Sequence, residues 1–286
     1  TVIDGKREPL FAGLFGIFGH GNVTCISEAL EAVQDTLPTW RGQNEQSMAL
    51  AAIGFAKAKR RRQIMIATSS IGPGALNMVT AAGTAHANRL PVLLIAGDTF
   101  TNRLPDPVLQ QVEHFNNPTV TVNDAFKSVT RYWDRITHPA QIISSLPQAI
   151  AAMLDPADCG PAFIGLPQDT QEIAFDYPAV FFEERVWSIP RPRADRDALA
   201  RAVALLKTAK KPLIILGKGA AYAQCDEDIR RLVERTGIPY LPMSMAKGLL
   251  PDTHALSAAA ARSHVLAEAD VVMLIGARLN WLLSHG

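Results

Sequence analysis

Hydrophobic and polar positions change period along this chain, and the changes mark out its elements. Leu10 to Phe18 is apolar and aromatic with interspersed glycines, and it breaks at Gly19-His20-Gly21-Asn22. This predicts a buried strand ending in a glycine loop, then a helix from about Ser27 to Val33. Leu37 to Trp40 reads as a second, short strand. From Ser47 to Ala58 the period becomes helical: Met48, Ala51, Ala52, Phe55 and Ala56 keep the spacing, and Leu50 and Ile53 leave little room for a polar face. Such a helix is expected to be covered on most sides. Gln63 to Ser69 is a third strand, Leu76 to Asn88 a close-packing helix rich in Ala, Thr and Gly, and Leu90 to Ala96 a fourth strand. That last run is continuously apolar, as in a parallel sheet buried on both faces. A helix over Pro139 to Leu154 and a strand over Pro161 to Leu166 follow, the strand stopped by Pro167-Gln168-Asp169. Strands alternating with helices predict a doubly wound α/β domain.

Phe181 to Asp197 is charged and carries Pro190 and Pro192 around an arginine, so it reads as an inter-domain linker. Beyond it lie an amphipathic helix over Ala198 to Ala209, a short strand over Leu213 to Leu216 and the turn Gly217-Lys218-Gly219. A helix over Ile229 to Thr236 and strands at Tyr240 to Met243 and Val271 to Ile275 complete a second α/β layer. The expected fold class is α/β, with two doubly wound parallel-sheet domains. The first spans residues 1–186, a linker 187–197, and a truncated second domain 198–286.

Composition adds exclusions. The 286 residues are 48% hydrophobic with a formal net charge of +1, which calls for neither nucleic acid nor membrane surface. The basic run Lys59-Arg60-Arg61-Arg62 falls at a helix C-terminus, where cations offset the helix dipole. Cys25, Cys159 and Cys225 are scattered and odd in number, so they read as core residues in a reducing cytoplasm. No apolar run reaches membrane-spanning length.

Candidate chemistry clusters at predicted strand ends. Glu45 heads the apolar helix, where the dipole favours negative charge. It either caps that helix or accepts a hydrogen bond from a bound heterocycle. Ser70 to Asn77, with Gly72-Pro73-Gly74, makes a tight turn at a strand's carboxyl end, where open α/β sheets place ligands. His20 in the glycine loop either touches a ligand or bonds the turn. Gly217-Lys218-Gly219 is a weak nucleotide signal or a tight strand–helix connection.

Five pieces in order carry a resemblance: the loop Gly19-His20-Gly21-Asn22, Asn44-Glu45-Gln46, Ser69 to Asn77, Ala81 to Asp98, and Gly160 to Asp169. Together they resemble the pyrimidine-binding domain of thiamine-diphosphate enzymes of the acetohydroxyacid synthase type. Within that family Ile17 to Val23, Pro105 to Gln111 and Ser128 to Ile136 resemble the ring-opening trihydroxycyclohexanedione hydrolases. Gly217 to Gln224, Pro242 to Pro251 and Ile275 to Gly286 look like the oxalyl-CoA decarboxylases, so the two halves point to different members, as in a recombined chain or a natural intermediate.

The resemblance implies a carbon–carbon bond-cleaving enzyme acting on a small molecule, with thiamine diphosphate and Mg²⁺ as cofactors. Glu45 would bond and activate the cofactor's pyrimidine ring, with Gln110 and His20 facing the reacting carbon. Gly21, Asn22, Gly72, Pro73, Gly74 and Asn77 would line the pyrimidine. Lys218 and Arg262 would contact phosphates of ADP or coenzyme A. The Mg²⁺ ligands belong to a third domain of the family, whose Gly-Asp-Gly motif does not occur in these residues. A homodimer or homotetramer is implied as the active assembly.

Overall fold

The computed structural model describes residues 1–283. Residues 284–286, the end of the stretch quoted for its decarboxylase likeness, lie outside the described residues. The chain forms two compact units, Thr1–Pro190 and Arg191–Gly286.

The first unit opens with a two-residue ribbon, β1 (Val2–Ile3) against β2 (Lys6–Arg7). Its main elements are β3 (Phe11–Gly16), α1 (Cys25–Ala32), β4 (Thr39–Arg41), α2 (Glu45–Ala58), β5 (Ile64–Ser69), α3 (Pro73–Asn77), α4 (Val79–Asn88) and β6 (Leu93–Asp98). Then come β7 (Tyr132–Arg135), α5 (Ile142–Leu154), β8 (Ala162–Pro167) and the short turn α6 (Gln168–Gln171). Six strands pair in parallel in the order β4-β3-β5-β6-β8-β7. Every residue of β5 is buried, because helices cover both faces of the sheet. The order reverses beside β3: the chain steps out to β4, then crosses back to β5. The crevice at the carboxyl ends of β3 and β5 is therefore the place such a fold offers a ligand.

Several expectations are corrected. The helix expected from Leu76 to Asn88 begins at Pro73 and divides at Met78 into α3 and α4. Proline at the first helical position sets the earlier start, since its missing N–H costs nothing there. Helix α2 is not covered on most sides. Met48, Ala49, Ala52, Ile53 and Ala56 form its buried face, while Leu50, Ala51 and Gly54 face outward. The apolar residues are simply more numerous than one core face requires. β7 escaped the pattern because Asp134 and Arg135 break its hydrophobicity. The segment after α6 is no loose tether: Trp187 and Ile189 pack on the first core, and Phe175, Tyr177, Phe181 and Phe182 form a ladder of ring contacts ending on His138.

The second unit contains α7 (Arg196–Thr208), β9 (Pro212–Leu216), α8 (Lys218–Tyr222), α9 (Asp226–Thr236), β10 (Tyr240–Pro242), α10 (Arg262–Glu268) and β11 (Val271–Ile275). Asp195 caps α7, accepting the Ala198 N–H at 2.8 Å, so that helix starts inside the expected linker. The three strands pair in parallel in the order β10-β9-β11. Leu213 to Leu216 are wholly buried at the centre.

Candidate active site

Helix α2 begins directly after the β4 end, and Asn44 caps it by accepting the Ser47 N–H at 2.9 Å. The capping role that a carboxylate could have played is thus taken by Asn44, and Glu45 turns its side chain toward α3. There Glu45 Oε2 accepts from Asn77 Nδ2 at 2.8 Å, a charge-assisted bond across 32 residues. Its other oxygen, Oε1, lies over Gly74, where a side chain would stand 3.2 Å from it and collide with Ser70 Oγ. Glycine at 74 is what lets carboxylate, serine and helix start meet.

Glu45, Pro73, Gly74, Leu76, Asn77 and Gln110 line one open cleft of about 580 Å³ at the carboxyl end of β5. Pro73, Gly74 and Leu76 give it an apolar side, and Glu45 at the head of α2, Asn77 at the end of α3 and Gln110 from the loop after β6 bring polar groups, which suits a flat heterocycle with hydrogen-bonding edges. Gln110 arrives from the long loop after β6 with a left-handed backbone, φ +64°. Its carbonyl oxygen occupies the space beside Gly72, so any side chain at Gly72 would strike it. Its Oε1 accepts the His20 N–H at 2.9 Å.

The remaining sequence candidates separate. His20 stands next to the cleft through that bond; its ring lies 6.2 Å from Phe100, and its Nε2 is buried without a hydrogen-bond partner. Gly21, at φ +94°, serves a backbone contact with Gly97. Gly72 makes room for the backbone of Gln110. Asn22 is corrected: it is fully buried, its Nδ2 donating to Ile17 O at 3.0 Å and Thr68 Oγ1 at 3.3 Å while its Oδ1 accepts the Gly19 N–H at 2.9 Å. It ties the glycine loop together and has no face toward the cleft. Cys159 is buried, and burial pushes its thiol up to about 11, as befits a core residue.

Sequence reasoning missed Ser70 and Leu76. It also missed a polar group at the carboxyl ends of β6 and β7. Buried Asp98 accepts from Arg135 Nε at 2.7 Å, and Arg135 also bonds Thr121 Oγ1 at 2.8 Å and Asp124 at 3.1 Å. Asp124 is partly buried, which raises its pKa, yet Lys127, the Thr121 N–H and Arg135 together hold it below the usual carboxylate range.

In the second unit, Lys218 opens α8 and Arg262 opens α10. Arg262 donates to Leu282 O at 3.3 Å and meets Met243 Sδ at 3.9 Å. The glycine turn is already filled: Gly217 N–H donates to Ile275 O at 2.9 Å and Gly219 N–H to Gly276 O at 3.0 Å. A side chain at Gly217 or Gly276 would strike the facing backbone. The turn is a strand–helix connection packed on its neighbour, not a phosphate cradle.

Residues 11–117 match the model of the thiamine pyrophosphate enzyme N-terminal TPP binding domain, and residues 199–286 that of the thiamine pyrophosphate enzyme central domain. The chain is 43% identical over 284 residues to a 3D-(3,5/4)-trihydroxycyclohexane-1,2-dione hydrolase of Geobacillus thermodenitrificans, covering 97% of this chain and 44% of that protein. A protein of the same name from Clostridium tetani is 44% identical over 285 residues, with the same coverage. The chain thus spans less than half the length of these relatives. Each alignment runs through both halves, so one kind of relative accounts for the second half as well as the first.

Proposed function

Because the chain belongs to the thiamine pyrophosphate enzymes through both of its domains, we propose that the complete protein is a thiamine-diphosphate-dependent hydrolase. Its substrate in this reading is a trihydroxycyclohexane-1,2-dione, whose ring it opens in inositol catabolism. The printed names of the relatives support the substrate. The observation that carries the cofactor is the Glu45 carboxylate, held by Asn77 in the cleft beside β5.

Thiamine diphosphate, when bound, supplies a carbon nucleophile for cleaving a bond next to a carbonyl. The chain's part is to hold and tune the pyrimidine end. Glu45 would accept a hydrogen bond from a ring nitrogen and so favour the protonated ring; Asn77 keeps the carboxylate aimed. Gly74 and Pro73 would give the ring a close backbone floor. Gln110 lines the open side, where a substrate carbonyl and its hydroxyls would arrive, with His20 next to it through its backbone bond to Gln110. Among the described residues no three His, Cys, Asp or Glu groups converge as a metal site requires. These residues do not fit Mg²⁺. ADP in the second unit would have to rely on the Lys218 and Arg262 side chains, without the glycine turn.

A homodimer fits the outward face of α2, where Leu50, Ala51 and Gly54 leave an apolar, small-residue surface, with Leu76 exposed at α3. No helix among the described residues is long and apolar enough to cross a membrane, and the three free cysteines suit a cytoplasmic protein. The test is turnover of the cyclic dione by the complete enzyme, with oxalyl-CoA as the competing substrate. Thiamine-diphosphate-dependent ring opening is expected. Carbon dioxide release from oxalyl-CoA, with no action on the dione, would replace the hydrolase by a lyase.

A further inference from the structure

Two loops frame the cleft, and apolar packing does not hold the longer one. Residues 99–121 run from the end of β6 without helix or strand, a length at which a loop needs fixed anchors. Its large side chains do not provide them: Leu104, Leu109 and Phe115 are 88%, 75% and 84% exposed. Yet Gln110, within this loop, sits against Gly72 and His20.

The anchor at the loop's root is Asp169 in α6. Its Oδ1 accepts the Thr101 N–H at 3.0 Å, and its Oδ2 accepts the Thr101 hydroxyl and the Asn102 N–H, the latter at 3.1 Å. Burial alone would raise this carboxyl's pKa. The Thr101 hydroxyl and the N–H groups of Thr101, Asn102 and Thr170 outweigh it and keep the group charged. Two residues on, Gln171 grips the other loop: its Nε2 donates to Gly21 O at 2.7 Å and to Leu166 O at 2.8 Å. His20 is the neighbour of that gripped carbonyl. One short turn at the end of β8 therefore fastens the loop that brings Gln110 and the loop that brings His20.

We propose that Asp169 and Gln171 are positioning residues, which set Gln110 and His20 beside the cleft from the carboxyl end of β8, two strands away from β5 in the same sheet. The inference rests on the cofactor site proposed above, but its first test does not need that site. Amide hydrogen exchange is measured on this chain and on Asp169→Asn and Gln171→Met. In Asp169→Asn an amide nitrogen meets N–H donors, and exchange across 99–112 should rise about tenfold, with β5 and β6 unchanged. In Gln171→Met the rise should fall on 18–23. Unaltered loop exchange, or equal acceleration through the whole first unit, overturns the proposal. In the complete enzyme either variant should lower kcat about tenfold at nearly constant substrate KM, since the groups are mispositioned and not removed. Loosened loops with unchanged kcat would also overturn it. Loosened loops in a protein whose wild type shows no thiamine-diphosphate-dependent turnover would uphold the latch and sink the assigned function.

Discussion

The two units reverse strand order in the same way, β4-β3-β5 in the first and β10-β9-β11 in the second, and each carries glycines at the reversal. In the first unit the crevice stays open, with the Glu45 carboxylate inside it and Gln110 laid over Gly72. In the second the loops after β9 and β11 close on each other, backbone against backbone, through Gly217, Gly219 and Gly276. The same residue type in the same topological position thus serves opposite ends. A glycine at a strand end says that something approaches closely; it does not say whether that is a ligand or the next loop. What separates the two cases is a charged side chain aimed into the gap.

The comparison is broken most directly at Glu45. Glu45→Gln in the complete enzyme should reduce turnover by roughly a hundredfold or more, the scale at which a positioned proton-handling group contributes. Its thermal stability should barely move, because Asn44 and not Glu45 caps α2. Turnover within threefold of wild type would mean that the open crevice is not where the cofactor is activated. Next in size is a matched pair of alanines. Gly276→Ala should destabilise the second unit by about 3 kcal/mol, since φ is +63° there and the new methyl meets the backbone of Gly219 and Ala220. Gly74→Ala puts its methyl against side chains first, the rotatable Ser70 hydroxyl and the edge of Glu45, and not against facing backbone. It should cost about 1 kcal/mol or less while weakening thiamine diphosphate binding. Urea unfolding of both variants, with a cofactor titration of the second, checks the contrast. Equal stability losses would erase the distinction between a shut crevice and an open one.

These contrasts also show what the sequence could and could not reveal. Glu45 stood out as a carboxylate heading an apolar helix, although capping alone would have explained it there, and only the motifs that follow it in the chain tipped the reading; Gly72-Pro73-Gly74 stood out because a strand–helix turn needs little else to be recognised. The parallel, doubly wound class followed from buried runs such as Leu90 to Ala96, whereas the strand order did not. Asn22 was misread because a polar residue in a glycine loop looks the same from outside whether it faces a ligand or its own carbonyls. Only the meeting of Ile17, Gly19 and Thr68 around it decides. The placing of Gln110 on Gly72, the grip of Asp169 on Thr101, and the closure of Gly217 on Gly276 all join residues far apart in the chain. No local period encodes such pairs.

A smaller effect concerns acid. Asp124 has a folded pKa below its ordinary value, so its stabilising contribution is fully present above the unfolded carboxylate range, near pH 4. It is lost as pH falls through the lower folded value. Asp124→Asn should therefore lower the Tm of the first unit by roughly 2–4 °C at pH 7, and the difference from wild type should shrink steadily as pH falls below about 4. Calorimetry at four or five pH values measures it. A gap that widens on acidification would reverse the sign and deny that Arg135 and Lys127 are what hold this carboxylate.

The smallest expected effect tests the shut crevice itself. An anion site at a strand–helix turn needs backbone N–H groups pointing outward. Here Gly217 and Gly219 spend theirs on Ile275 and Gly276, Ala220 donates to Gly217 O at 3.1 Å, and α8 is five residues long. What is left for a phosphate is the single ammonium of Lys218, half-buried at the head of α8; one such ion pair is worth at most about 1 kcal/mol. ADP titrated into this chain should bind no tighter than about millimolar, and Lys218→Ala should change that affinity by less than about fivefold, which is what 1 kcal/mol allows. Micromolar binding that vanishes in Lys218→Ala would require the loops after β9 and β11 to part and free those donors. The second crevice would then be a closed door and not a wall, and the difference between the two units would lie in a conformational equilibrium instead of in packing.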